Sequence, residues 1–188
     1  LEYASAAAEL CGERPEPQWS AVAAGLRIPH FADGTTREHA GYDGEMIKQA
    51  DANLLGYPLG IVTGREAQLR DLEYYERRID PRNGPAMSYS VFAIQYARLG
   101  MAEKACEMFR RSYLPNLRPP FGVFAETATS GNPYFMTGAG GMLQAVLFGF
   151  GGLEITADGL VQRPSVLPPQ WKNLRIKING KIYQATNQ

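Results

Sequence analysis

The sequence predicts a mainly α-helical fold of paired helices arranged around a centre, followed by a small antiparallel β piece. Three observations predict it. Apolar residues recur at helical spacing through roughly the first 150 residues. Short and long links alternate between those stretches, as expected for helical hairpins. After Gly151-Gly152 the period switches to two, and Asp158-Gly159 and Asn179-Gly180 supply hairpin turns.

Bulk properties allow a packed domain. The chain has 188 residues, 45% apolar and 20% charged, a normal globular balance. Lys plus Arg number 19, as do Asp plus Glu, so charge gives no case for nucleic acid or an anionic membrane as partner. The opening LEYASAAAEL lacks an initiator Met and any secretory signature. Leu1 is therefore expected to be an internal position of a longer protein. Cys11 and Cys106 have no CxxC neighbour and are expected to be buried free thiols.

Residues 1–11 read as helix, with Leu1, Ala4, Ala8 and Cys11 on one face and Gly12 as the stop. Trp19, Val22, Ala23 and Leu26 mark a second helix after Pro15 and Pro17. The stretch from Ile28 to Gly44 has no period and reads as a long loop. It carries His30 and His39, without the carboxylate or thiol cluster that a metal site needs. Residues 45–57 are expected to form a third helix, ended by Pro58. Residues 65–79 are expected to form a fourth, with Leu69, Leu72, Glu76 and Ile79 in register and the DLEYYERR run on a solvated face.

A turn at Asn83-Gly84-Pro85 precedes a fifth helix, expected to turn Met87, Val91 and Ile94 inward. Its aromatic residues Tyr89, Phe92 and Tyr96, with Met87, read as core. Gly100 separates it from a sixth helix with Ala102, Ala105, Cys106 and Phe109, its antiparallel neighbour. Residues 121–134 break all pattern, and a Gly-rich helix follows over 135–150. LEIT pairs with LVQR, and Leu174, Ile176 and Ile178 alternate before KIYQ.

Two segments carry candidate chemistry. Glu126 sits in the apolar run FGVFAET, followed by Thr127, Thr129, Ser130 and Asn132. It reads either as a carboxylate capping the next helix or as one in a cleft, where desolvation raises its pKa toward general-base work. Lys48, Gln49 and Asp51 place a cation, an amide and a carboxylate together. Such a set suits vicinal hydroxyls, or forms an ordinary first helical turn with Asp51 favoured by the dipole. The glycines at 138, 140 and 141 suit phosphate, close helix packing or close approach of a sugar. Without a preceding strand and a Lys, the phosphate signal is weak.

The segments KQADANLLGYPL at 48–59, LEYYERR at 72–78 and GPAMSYSVFAI at 84–94 together resemble glycoside hydrolase family 65. The resemblance continues through FAETATSGNPYFMTGAGGMLQAVLFGFGGL at 124–153 and LPPQW at 167–171. It implies the C-terminal half of an (α/α)6 barrel over 1–150 and a C-terminal β domain of hairpins over 151–188. The family contains phosphorylases and hydrolases. Phosphorylases hold phosphate with serines and a His ahead of the Gly-rich helix, where this chain reads Asn132-Pro133-Tyr134-Phe135-Met136. The hydrolases carry a Glu in the preceding loop, and Glu126 matches it.

The resemblance thus implies an inverting α-glucoside hydrolase with Glu126 as base and with Lys48 and Gln49 binding the nonreducing-end glucose. An inverting pair stands about 6.5–9.5 Å apart with one water between. The general acid, a Glu, is expected upstream of Leu1. Implied partners are the α-glucoside and the N-terminal remainder of the enzyme, with a homodimer as a candidate assembly. No metal or organic cofactor is implied, and neither nucleic acid nor membrane. Two alternatives stand beside this reading. One is a phosphorylase of the same family. The other is a non-catalytic helical binding domain.

Overall fold

The structure, a computed structural model, describes residues 1–187. It divides into two compact units, Leu1–Gly41 and Tyr42–Gln188.

The first unit holds α1 (Glu2–Leu10) and α2 (Pro17–Gly25), which pack on each other. Pro17 starts α2, where its missing N–H would have no helical partner. Neither helix buries a residue, and Cys11, expected to be buried, is exposed in the turn that ends α1. The following loop carries one isolated bridge, His30 to Thr36.

The second unit is built on α4 (Ala86–Arg98), which packs against α5 (Ala102–Arg111) and α6 (Met136–Gln144). Its burial differs from the expected single inward face. Ser88 to Ser90 and Phe92 to Ala97 are buried, whereas Met87 and Val91 are only half-buried. A helix surrounded on most sides has no single polar stripe to reveal its orientation. Its aromatic core residues Tyr89, Phe92 and Tyr96 are buried as expected. Gly100, at φ 78, turns the chain into α5.

α3 (Arg65–Glu76) ends before Ile79, which is buried beyond the helix. The DLEYYERR run is not a solvated face. Asp71, Leu72 and Tyr75 are buried, and the Arg78 guanidinium stacks on the Tyr74 ring at 3.6 Å. Tyr96 donates to Glu76 at 2.8 Å, and Lys104 meets the other oxygen of that carboxylate at 2.7 Å. One carboxylate thus links α3, α4 and α5.

The expected helix over 45–57 is absent. Only a 3-10 turn, Ala52–Leu55, forms there. The Ile47 main chain is instead captured in an isolated parallel bridge with Ile79. Its N–H donates to the Arg78 carbonyl at 2.8 Å, and Asp80 N–H donates back to the Ile47 carbonyl at 3.2 Å. These tertiary bonds replace the helical ones that the apolar spacing suggested.

α6 runs into a π-helical turn, Ala145–Phe150. Three short antiparallel pairs complete the unit, the first of them before α6 and the other two after the π turn. β1 (Leu117–Arg118) pairs with β2 (Val123–Phe124), β3 (Leu153–Thr156) with β4 (Gly159–Gln162), and β5 (Asn173–Ile178) with β6 (Lys181–Thr186). Asn179 and Gly180, at φ 48 and 80, form the two-residue turn of the last hairpin. An isolated hairpin is marginal in water. Here Leu153, Ile176 and Tyr183 form a cluster that packs on Leu147 and Phe148 of the π turn. Phe109, Phe150 and Trp171 stack edge to face at 5.3–5.9 Å and tie the LPPQW segment to α5. No helix among the described residues is long and apolar enough to cross a membrane.

Candidate active site

Glu126 lies between β2 and α6 on an irregular segment, and both its own N–H and its own carbonyl are hydrogen-bonded. Its carbonyl accepts from the Ala86 N–H at the start of α4 (3.1 Å) and from Asn116 Nδ2 (2.9 Å). Asn116 is buried, and its Nδ2 also donates to the Ala125 carbonyl at 3.0 Å. The Glu126 N–H donates to the Asn132 carbonyl at 3.3 Å, closing the loop 126–132. Within that loop Ser130 N–H donates to Thr127 Oγ1, and Asn132 N–H donates to Ser130 Oγ, each at 3.0 Å. These are the local hydroxyl turns that Ser and Thr favour over helix.

Arg118 faces the same loop. Its Nη2 donates to the carbonyls of Thr127, Ala128 and Ser130 at 2.9, 2.8 and 3.2 Å. Its Nη1 donates to Pro115 at 2.8 Å and to Leu117 at 3.4 Å.

The Glu126 carboxylate is held far more lightly. Oε1 stands 3.5 Å from Lys48 Nζ, and Oε2 stands 3.5 Å from Asn132 Nδ2. The side chain is 27% accessible, so it is not sealed in the cleft that the desolvation argument requires. Nor does it cap the next helix: the residue before α6 is Phe135, and no side chain caps it.

Lys48 and Gln49 emerge from the 46–51 segment rather than from a helix. Both are exposed, while Ile47 and Ala50 on either side are buried. Ala50 N–H donates to the buried Ser88 Oγ at 3.3 Å. Lys48 reaches Glu126 at 3.5 Å. Gln49 turns elsewhere: its Nε2 is 3.5 Å from Asp51 Oδ2. Gln49 and Asp51 line a cavity of about 140 Å³ with Leu54, Met87, Ser88 and Val91. That cavity explains why Met87 and Val91 are less buried than their neighbours in α4.

The α6 glycines sort into two kinds. A methyl at Gly138 would come within 2.7 Å of the Phe124 ring and 3.0 Å of Ala86 Cβ, and one at Gly141 within 3.0 Å of Ser90 Oγ. Both let α6 lie close on α4. Gly140 faces open space.

Asn116 and Arg118 escaped the sequence reading. The available signal was their placement, an amide and a guanidinium within the proline-bounded PNLRPP. The acidic turn before α4 is also tightly organised. Asp80 accepts from Asn83 Nδ2 at 2.8 Å, from Arg82 N–H at 2.8 Å and from Asn83 N–H at 3.2 Å. These donors hold its carboxyl below the usual Asp range. Among the described residues no group of three His, Cys, Asp or Glu could hold a metal ion.

No family model matches the chain. Sequence relatives are nevertheless clear. The chain is 48% identical over 176 residues to a kojibiose hydrolase of Mucilaginibacter mallensis, covering 94% of this chain and 26% of that protein. It is 39% identical over 182 residues to a protein-glucosylgalactosylhydroxylysine glucosidase of Danio rerio, covering 94% and 27%. It is 35% identical over 172 residues to a periplasmic/secreted acid trehalase of Candida glabrata, covering 84% and 14%. The chain thus spans about a quarter of the length of the first two. A solved structure described as a putative kojibiose phosphorylase from human microbiome matches with a TM-score of 0.51 at 22% identity. That match covers 74% of this chain and 20% of the other, and it bears on the fold alone.

Proposed function

We propose, for a chain related over most of its length to the hydrolases of glycoside hydrolase family 65, that it forms part of an inverting α-glucoside hydrolase. In this reading residues 1–150 contribute to an (α/α)6 barrel, and 151–188 form a C-terminal β domain. Glu126 is the general base. The observation that carries the reading is the placement of Glu126: an anchored main chain presenting a lightly engaged carboxylate beside Lys48.

The chemistry follows from that placement. Water stands between Glu126 and the anomeric carbon. Glu126 takes a proton from the water as its oxygen bonds to that carbon. The glycosidic C–O bond breaks on the opposite face, and the departing oxygen receives a proton from a second carboxylic acid, a Glu upstream of Leu1. The products are β-glucose and the free acceptor hydroxyl. A base must have a free lone pair, and long contacts of 3.5 Å leave one. Lys48 and Gln49 would bind hydroxyls of the glucose and align its anomeric carbon with the water. Kojibiose, trehalose and glucosylgalactosyl hydroxylysine are the substrates to assay.

The test uses the protein expressed from its complete reading frame. Glu126→Gln should leave the thermal transition in place and lower glucose release by about 1,000-fold or more, the order expected when a base is removed. Proton NMR of the first product should show the β anomer, with no dependence on phosphate. Wild-type turnover in Glu126→Gln, or initial α-glucose, would refute the assignment.

A further inference from the structure

We infer that Arg118 is a positioning residue for Glu126, an inference that rests on the reading of Glu126 as the base. All five hydrogen bonds of its guanidinium go to main-chain carbonyls, and three of those belong to Thr127, Ala128 and Ser130, directly after Glu126. Among the described residues no carboxylate lies within ion-pair distance of it.

The connection to the carboxylate is short. Arg118 fixes the turn 127–130. That turn returns the chain to Asn132, which holds Glu126 twice: its carbonyl accepts the Glu126 N–H, and its Nδ2 stands 3.5 Å from Oε2. Asn116 pins the other side of the same residue through the Ala125 and Glu126 carbonyls. The carboxylate itself has only two long contacts, so its aim is set by the backbone beneath it. Misplacement of a reacting group by about 1 Å costs on the order of 100-fold in rate. The fork lets Nη1 hold the Pro115 and Leu117 carbonyls while Nη2 holds those of Thr127, Ala128 and Ser130, and the three N–H groups on a single ammonium nitrogen cannot serve both sets at once.

Arg118→Ala is the test, again in the protein expressed from its complete reading frame. The expected result is a fall in kcat of about 100-fold with KM changed less than about threefold, since ground-state binding of glucose does not run through Arg118. Added guanidinium chloride, at concentrations below the unfolding transition, should restore part of the loss. Methylammonium chloride should not. Arg118→Lys keeps the charge and should still lose about 10-fold in kcat. Wild-type kcat in Arg118→Ala, or a loss that guanidinium does not recover, would overturn the inference, as would failure of both variants to fold. Glu126→Gln is measured in parallel. If it is inactive while Arg118→Ala turns over normally, the positioning role fails and the base assignment survives. If Glu126→Gln turns over normally, the base assignment itself has failed.

Discussion

Two irregular segments, 46–51 and 124–132, approach the start of α4, and each presents side chains proposed to meet a sugar. They are built differently. The Glu126 segment is held by side-chain clamps, with Asn116 and Arg118 bonding carbonyls on both sides of the residue. The Lys48 segment is held by its own backbone, through the bridge to Ile79 and the Ala50 N–H bond to Ser88. In both, the main chain is tied while the working side chain makes only long contacts of 3.5 Å. The difference suits the roles. A base must be aimed within fractions of an ångström, whereas a Lys that binds hydroxyls tolerates a flexible stem.

The largest expected effect beyond Glu126 and Arg118 comes from the second segment. Lys48→Met should lower kcat/KM for α-glucosides by about 10- to 100-fold, the equivalent of one hydrogen bond to a charged group. Most of that loss should appear in KM, in contrast to Arg118→Ala. Steady-state kinetics on both variants decide it. A loss confined to kcat would mean that Lys48 acts on Glu126, and the contrast between the segments would collapse.

Gly138 offers a way to disturb the first segment from behind. An added methyl there meets the Phe124 ring at 2.7 Å and Ala86 Cβ at 3.0 Å, so Gly138→Ala should destabilise by about 1–2 kcal/mol after the helical gain is counted. Gly140→Ala, with nothing near its added methyl, should instead stabilise by about 0.5–1 kcal/mol. Chemical denaturation of the pair checks both signs. Equal effects would show that close approach of α6 to α4 is not what fixes these glycines. Ser88→Ala should cost about 1 kcal/mol, because the Ala50 N–H loses its buried acceptor.

The two segments were unequally legible in the sequence. The last hairpin could be read because Asn179-Gly180 suits positive φ at both positions, a local requirement, whereas Gly159 of the expected Asp158-Gly159 turn pairs with Thr156 and leaves Ala157 and Asp158 as the loop. Glu126 stood out because a carboxylate in an apolar run is unusual. The Lys48 segment was misread as helix because its apolar spacing is helical, while the bonds that decide it come from residues 78–80 and from Ser88, far along the chain. Asn116 and Arg118 were missed for a similar reason. Their partners are carbonyls, which no residue type advertises.

The smallest effect tests the support of the Lys48 segment. Asp80 N–H donates to the Ile47 carbonyl, and the Asp80 carboxylate organises the turn that leads into α4. The Asn83 side chain and the N–H groups of Arg82 and Asn83 hold its carboxyl below the value of 3.8 for an unperturbed Asp. A carboxyl depressed in the folded state stabilises the fold above its unfolded value, and the contribution is lost as pH falls through the folded one. Asp80→Asn keeps one acceptor oxygen and removes the charge. Wild type should therefore be slightly more stable than the variant at neutral pH, and the gap should close as pH falls below 3.8. Denaturant midpoints of both proteins at neutral and acid pH measure it. A gap that stays constant with pH would mean that the turn depends on the shape of the side chain alone. The Lys48 segment would then rest on backbone pairing without electrostatic help.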